Sequence, residues 1–562
     1  MTGSSRRSFL GQTAALFAAA VIPDRPVRSS SVDLLRPPDR LTAYAESGVL
    51  PLLSGVGNKF RAADVVVETE SSTKVGRHGL AVIVSAPVSA VSRLHLRWKA
   101  TISTGVRVLG DAWERGYGDL EWRGLVPDRI LPWYFLVFDG GLTHGYGVET
   151  GAAAFSCWQI DAEGVSLWLD LRNGGSGVRL GERRLTAATI LTRAGKSGES
   201  AFRAAQSFCQ MLCPDPRLPA RPVYGGNNWY YKYGSDCSAA EILQDSETIA
   251  SLAPDGKNRP YMVIDDGWQP YNESGPWIRG NDRFPDMRDL AGRMKERGVQ
   301  PGIWMRPLFT HEAVPEFWKI RRKDPDQRGS VLDSTVPEVR ARIIDDISRM
   351  VAWGYDLIKY DYSSMDLLGR WGYAMGAQLT DDGWHFADSS RTNAEVALDL
   401  YAAVRTAAGN SIVIGCNTFG HLAAGLVELQ RIGDDTSGQH WDRTRKMGVN
   451  SLAFRMPQQG AFFAADGDCV GLTPQIPWSL NSQWLDLLAR SGTPLFVSAD
   501  PAALGPQQRR AVRDAFERAA RPQPAGEPLD WMETTIPSRW KFGAETRQYR
   551  WFGEDGPSPF PD

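Results

Sequence analysis

The segment DLIKYDYSSMD, Asp356 to Asp366, begins as an apolar run and ends by placing Lys359 and Asp361 two residues apart. In an extended strand that spacing puts both side chains on one face, where burying either charge unpaired is costly. Other apolar runs finish the same way, in Asp265-Asp266-Gly267-Trp268, Trp304-Met305-Arg306, Cys416-Asn417, Arg431-Ile432-Gly433-Asp434-Asp435 and Ser498-Ala499-Asp500. Two carboxyl groups can cleave a glycoside without a metal or nucleotide: one attacks the anomeric carbon and the other protonates the leaving oxygen. Their separation is about 5–5.5 Å when configuration is retained and beyond about 6.5 Å when it is inverted. Asp361 beside Lys359 suits the ionised role, because a nearby cation lowers a carboxyl pKa. Asp434 beside Asp435 suits the protonated role, because a like charge favours keeping one proton. Each group also has a structural reading: a strand-end Asp caps the next helix, as is expected of Asp500, Asp265-Asp266 forms a turn, and Lys359 and Asp361 form a buried ion pair.

The elements that must position these groups follow from the pattern. After Pro222, apolar strands alternate with amphipathic helices such as MRDLAGRMKERG, VPEVRARIIDDISRMVAWG and RTNAEVALDLYAAVRTAAG. Eight such units, the seventh strand placed in GVNSLAFRM, predict a (β/α)8 TIM barrel over residues 220–521, with an open doubly wound sheet as the alternative. A barrel carries its working groups at the C-terminal ends of its strands, which is where this inventory sits. Residues 31–210 read as short alternating strands such as GLAVIVSAP and VSLWLDLR, an N-terminal β-sandwich, joined to the barrel through the Pro-rich PDPRLPARP. Residues 522–562, containing SRWKFGAETRQYRWF, read as a short C-terminal β segment.

Composition narrows the ligand. The chain has 562 residues, 42% of them hydrophobic and 23% charged, and a net charge of -2. That balance offers no polybasic field for nucleic acid or an anionic membrane. The 20 Trp residues suit a carbohydrate, whose rings stack on aromatic faces. Seven scattered His and six Cys (Cys157, Cys209, Cys213, Cys237, Cys416, Cys469) show no metal-ligand spacing, so neither metal nor cofactor is expected. Arg6-Arg7, followed by a short alanine-rich apolar stretch, predicts a twin-arginine export signal within residues 1–30, and hence a periplasmic or secreted protein with no membrane insertion after its removal. A homo-oligomer is left open.

VIDDGW, DLIKYD, QRIGDD and TPLFVSAD, in that order and spacing, resemble the signature strands of the α-galactosidases and α-N-acetylgalactosaminidases of glycoside hydrolase families 27 and 36. The N-terminal β region is similar to that of family 36, and GDAWERGYGDLEW, Gly110 to Trp122, looks like its segment that reaches the barrel mouth. The resemblance implies an exported retaining α-glycosidase with Asp361 as nucleophile and Asp434 as acid/base, Asp435 being the rival because the doublet permits a one-residue slip. It implies that Asp265 and Asp266 accept from the sugar O4 and O6 hydroxyls, Lys359 and Arg431 hold other hydroxyls, Cys416 and Asn417 lie near the C2 substituent, and Trp268 or Trp304 packs on the apolar sugar face. Arg306 stands where family 36 galactosidases carry an acidic group, and would suit a carboxylate or sulfate on the substrate. Strand seven, and GCNTFG in place of a glycine-rich turn, also depart from the pattern. The rival functions are sugar transfer of raffinose-synthase type, hydrolysis of an N-acetylgalactosaminide or modified sugar, a non-catalytic glycan-binding barrel and a metal-dependent barrel hydrolase.

Overall fold

A computed structural model describes residues 32–557, apart from 56, 75, 235–236, 323–328 and 555. The expected export signal lies outside the described residues, as do the last five residues of the expected C-terminal segment. The chain is an α/β protein with a large antiparallel sheet followed by a parallel one. Thirteen strands between Arg40 and Arg193 make the antiparallel sheet, whose alternation shows in Val91–Lys99: Val91, Leu94, Leu96 and Trp98 are buried between more exposed neighbours. A helix, Ala201–Leu212, packs Phe208 against Gly145 of this sheet, at a place where any side chain would meet the ring.

Nine parallel strands follow. They are β1 (Tyr224–Asn227), β2 (Tyr261–Ile264), β3 (Gln300–Met305), β4 (Leu357–Tyr360), β5 (Ile412–Gly415), β6 (Leu429–Arg431), β7 (Ala464–Asp466), β8 (Cys469–Leu472) and β9 (Leu495–Ala499). Their order in the sheet is β7-β6-β5-β4-β3-β2-β1-β9-β8, and each neighbouring pair is parallel. All four residues of β4 are buried, as expected of a strand covered on both faces. The helix before it, Pro337–Trp353, starts with proline in its first turn and stops at Gly354, whose φ of 107° is a conformation that glycine alone adopts readily. Register then places Trp304 of β3 beside Lys359 and Met305 beside Tyr360.

The expected seventh strand in GVNSLAFRM is helical instead, over Thr444–Asn450 and Ser451–Arg455. Val449, Leu452, Ala453 and Met456 are all buried and recur at helical, not strand, spacing. The parallel pairing comes later, in β7 and β8, which are separated by Gly467 and Asp468, the latter with a positive φ of 74°. Three short strands, 527–528, 539–542 and 545–548, form a small antiparallel sheet near the C-terminus. Among the described residues no helix is long and apolar enough to cross a membrane.

Candidate active site

Asp361 leaves the end of β4 with its N–H donating to Met305 O at 3.0 Å, which continues the ladder for one residue. Its carboxylate is oriented by two donors: Trp304 Nε1 to Oδ2 at 3.1 Å and the Tyr362 N–H to Oδ1 at 2.7 Å. Tyr362 takes φ 62°, a left-handed conformation uncommon for a tyrosine and characteristic of sites whose surroundings hold the backbone in place. Burial raises the Tyr362 phenol pKa, and Asp361, Glu273 and Asp435 reinforce the shift. One ring therefore lies in the fields of both Asp361 and Asp435.

Lys359 is buried and its direct partner is Asp265, with Nζ 2.6 Å from Oδ2. The ion pair expected with Asp361 is thus a longer-range attraction. Burial alone would lower the Lys359 pKa, and the pull of Asp265, with smaller contributions from Cys416 and Asp361, raises it. Asp265 also accepts from Asn227 Nδ2 at 2.6 Å. Asp266 Oδ1 accepts from Gln269 and from the Glu273 N–H, whereas Oδ2 has no protein donor among the described residues. Burial pushes the Asp266 carboxyl up to about 6, helped by Asp265.

The doublet after β6 is split by its partners. Asp434 has both oxygens in ion pairs, Oδ1 with Arg115 at 3.1 Å and Oδ2 with Arg443 at 2.7 Å. Its N–H donates to Gly116 O at 2.9 Å, while the Gly116 N–H donates to Ile432 O at 2.8 Å, so the N-terminal segment is bridged onto the strand end. Asp435 is engaged through Oδ1 alone, 3.1 Å from Arg431 Nη1 and 3.7 Å from Arg115 Nη1, and its side chain is 38% exposed. Desolvation would raise the Asp435 pKa, but Arg431, Arg115, Lys359 and Arg443 outweigh it and hold the carboxyl below its ordinary value. Arg431 also meets Asp466 at 3.3 Å and Asp468 at 2.8 Å. Burial pushes the Asp468 carboxyl up.

Several expected contact residues are turned to other work. Trp268 has a fully buried side chain: its Nε1 donates to Trp304 O at 2.9 Å and its ring meets Trp277 and Trp353, so it supports β3 and offers no face to a sugar. Trp304 is buried as well and reaches Asp361 through its N–H. Asn417 is buried between Ser364 and Glu114, accepting at 2.6 Å and donating at 2.8 Å. Cys416 is buried, and burial, with Asp361 second, pushes its thiol well up. Arg306 holds Asp366 through Nε at 3.0 Å and Nη2 at 2.6 Å, and Glu273 through Nη1 at 3.0 Å. It also lies 4.1 Å from the ring centroids of both Phe309 and Tyr362, so the protein's own carboxylates fill the place expected for a substrate anion. Asp500 caps the short turn after β9, accepting from the Ala502 N–H at 2.9 Å, as expected.

Residues that pattern reading missed come from three places. Glu114 and Arg115 arrive from the N-terminal region: buried Glu114 accepts from Tyr117, the Gly372 N–H, Ser364 and Asn417. Their signal was GDAWERGYGDLEW, charged and aromatic residues between two glycines. Trp371, 5.4 Å from Tyr362 and 37% exposed, lies in the stretch after β4. Asp466 and Asp468 belong to the strand pair that was misplaced.

No protein-family model matches the chain. Its fold is similar to that of solved α-galactosidases, one of them assigned to glycoside hydrolase family 36. An α-galactosidase from Thermus thermophilus, in complex with p-nitrophenyl α-D-galactopyranoside, superposes with a TM-score of 0.59 at 19% identity, over 87% of this chain and 97% of that one. A family 36 α-galactosidase variant from Geobacillus stearothermophilus in complex with raffinose gives 0.57 at 13% identity, over 89% and 79%. An α-galactosidase from Lactobacillus brevis gives 0.55 at 15%, over 85% and 72%.

Proposed function

We propose that the chain is an exported retaining α-glycosidase of α-galactosidase type, whose reaction site is the mouth of a closed (β/α)8 barrel spanning about residues 220–521. Closure is supported by the pairing order: with β7 and β8 taken as one interrupted strand, eight parallel strands run from β1 round to β9, which pairs with β1 again. The antiparallel region over 31–210 would be the sandwich that delivers Glu114 and Arg115, and 522–562 a short β appendage. Export rests on Arg6-Arg7 and the apolar stretch after them.

The observation that carries the reading is geometric: Asp361, just past the end of β4, and Asp435, just past the end of β6 and engaged through Oδ1 alone, stand at the C-terminal ends of strands of one parallel sheet. Asp361 is presented by Trp304 Nε1 and the Tyr362 N–H, as a nucleophile needs. It attacks the anomeric carbon, the glycosidic C–O bond breaks, and the leaving oxygen takes a proton from the doublet. Water then attacks the β-linked ester, gives its proton back to the same carboxylate, and the sugar leaves with α configuration. Of the doublet we assign the proton transfer to Asp435 in preference to Asp434. Both Asp434 oxygens sit in ion pairs, whereas Asp435 is engaged through Oδ1 alone and its side chain is 38% exposed. Asp266 Oδ2 is similarly placed to accept from a sugar hydroxyl.

The test is nitrophenol release from nitrophenyl α-galactoside by the intact chain, with Asp361→Asn in parallel. Release that falls to background in the variant is the expected result. Retained activity in Asp361→Asn would remove it as nucleophile, and silence of the intact chain would remove the galactose-type substrate. A finer check uses Asp361→Gly with azide: the freed space admits the anion, which attacks the same carbon and leaves a β-glycosyl azide.

A further inference from the structure

One cavity, lined by neither Asp361 nor the Asp434-Asp435 doublet, lies in the N-terminal region. It measures about 530 Å³ and opens on the antiparallel sheet, within the range of roughly 300–1,000 Å³ typical of small-molecule sites. Trp168 and Tyr44 form one wall, with ring centroids 5.8 Å apart. Trp168 is fixed from behind by His95, stacked at 4.0 Å and 5° from parallel, and along its edge by Gln159, which accepts from Nε1 at 2.9 Å. Burial pushes His95 down to about 4, so the stack is a neutral, rigid plate at ordinary pH. Around the plate stand Asp128, Asp170, Asp382, Gln378 and Arg93, a set rich in acceptors with one cation.

A half-buried aromatic plate ringed by carboxylate and amide oxygens matches one ligand chemistry well. The C–H face of a pyranose covers the ring while its hydroxyls donate outward to the oxygens. An anion would meet three carboxylates, of which Arg172 holds Asp170 at 2.7 Å and Asp382 at 3.3 Å, so the lone pairs that remain are acceptors for hydroxyl donors. The cavity also approaches the Glu114–Arg115 segment. A second space of about 320 Å³, lined by Glu114, Arg115, Tyr117 and Tyr373, shares Trp113 and Ile130 with it. Trp113 directly precedes Glu114, and its Nε1 is tied to Gly376 O at 3.1 Å, so the wall between the two spaces is pinned.

We infer that this sheet cavity is an accessory saccharide subsite, which takes units of a neutral oligosaccharide remote from the residue seated at Asp361. The inference rests on the glycosidase reading for the identity of the saccharide and on the cavity alone for its place. In the full chain carrying Asp361→Asn, binding of the tetrasaccharide stachyose and of free galactose is measured by calorimetry, with and without Trp168→Ala. Stachyose affinity is expected to fall about tenfold when the plate is removed, and galactose affinity by less than about twofold. Equal losses on both ligands, or no loss on either, overturn the proposal. Tyr44→Ser removes the second ring while keeping the Trp168–His95 stack, and gives the same reading if Trp168→Ala does not fold. Nitrophenyl α-galactoside hydrolysis by the intact chain is run beside it. Silence there counts against the hydrolase reading and leaves the stachyose difference to report on the cavity.

Discussion

Two buried arginines stand at strand ends of the same parallel sheet, and their surroundings differ in one respect. Arg306 is closed on all sides: Asp366, with a fully buried side chain, takes two of its N–H groups, Glu273 takes a third, and Phe309 and Tyr362 lie at its faces. Arg431 meets three carboxylates, Asp435, Asp466 and Asp468, while Arg115 reaches across to the same doublet. Here the accounting does not close. Arg115 Nε has no hydrogen-bond partner, Asp468 Oδ1 lies 2.8 Å from Arg431 without hydrogen-bond alignment, and Asp435 is engaged through Oδ1 alone. Buried polar groups are normally satisfied, so a cluster that stays incomplete points to a guest that completes it. Arg306 is read as structure and the Arg431–Arg115 cluster as machinery.

The largest effect that separates the two is the loss of proton transfer. Asp435→Asn is expected to lower turnover of a substrate with a poor leaving group, such as raffinose, by about 10²–10⁴-fold, the usual contribution of general acid–base catalysis. The loss on nitrophenyl α-galactoside in the glycosylation step should be smaller, because nitrophenolate departs with little protonation. Asp434→Asn should cost less than about tenfold on either substrate. Steady-state rates on both substrates decide it, and the reverse order would return the role to Asp434.

The matching experiment on the closed cluster reads stability. Arg306→Met leaves Asp366 buried without its bidentate partner, which is expected to cost about 3–5 kcal/mol in urea unfolding. Burial already raises the Asp366 pKa despite Arg306, so removing the cation raises it further. A carboxyl whose folded pKa lies above its unfolded value binds protons more readily in the native state. The penalty is therefore greatest at neutral pH and relieved as pH falls through the folded value. A pH-independent loss would show that packing against Phe309 and Tyr362, not charge, is what Arg306 supplies.

What could be read from sequence, and what could not, follows the same division. The strand ends with Asp265, Lys359, Asp361 and the doublet were legible because a short apolar run that stops in charge is a local pattern. The seventh strand was not, because GVNSLAFRM is as apolar as a buried strand while Val449, Leu452, Ala453 and Met456 recur at helical spacing. Asp466 and Asp468 went unseen with it. Residue type suggested Trp268 and Arg306 as ligand contacts, but only packing tells which way a tryptophan faces or whether an arginine is already occupied. Glu114 and Arg115 lie more than 200 residues before the strands they serve: resemblance brings the Gly110 to Trp122 segment towards them, but no local pattern picks out these two side chains.

The smallest predicted effect isolates Arg115. The proposed mechanism needs Asp361 ionised and Asp435 protonated, so it predicts that kcat/KM falls as pH rises through the Asp435 pKa. The cations around Asp435 hold that pKa low, which places the alkaline limb at acidic pH. Arg115→Met removes one of them and should move the limb to higher pH, and Arg115→Lys should return it part of the way. Because the Arg115 side chain is only 5% exposed, added salt should not mimic the change. A purely structural role would lower kcat/KM at every pH without moving the limb. A limb that stays in place in Arg115→Met would therefore leave Arg115 as a strut between the N-terminal segment and β6, and would put Arg431 alone in charge of the proton on Asp435.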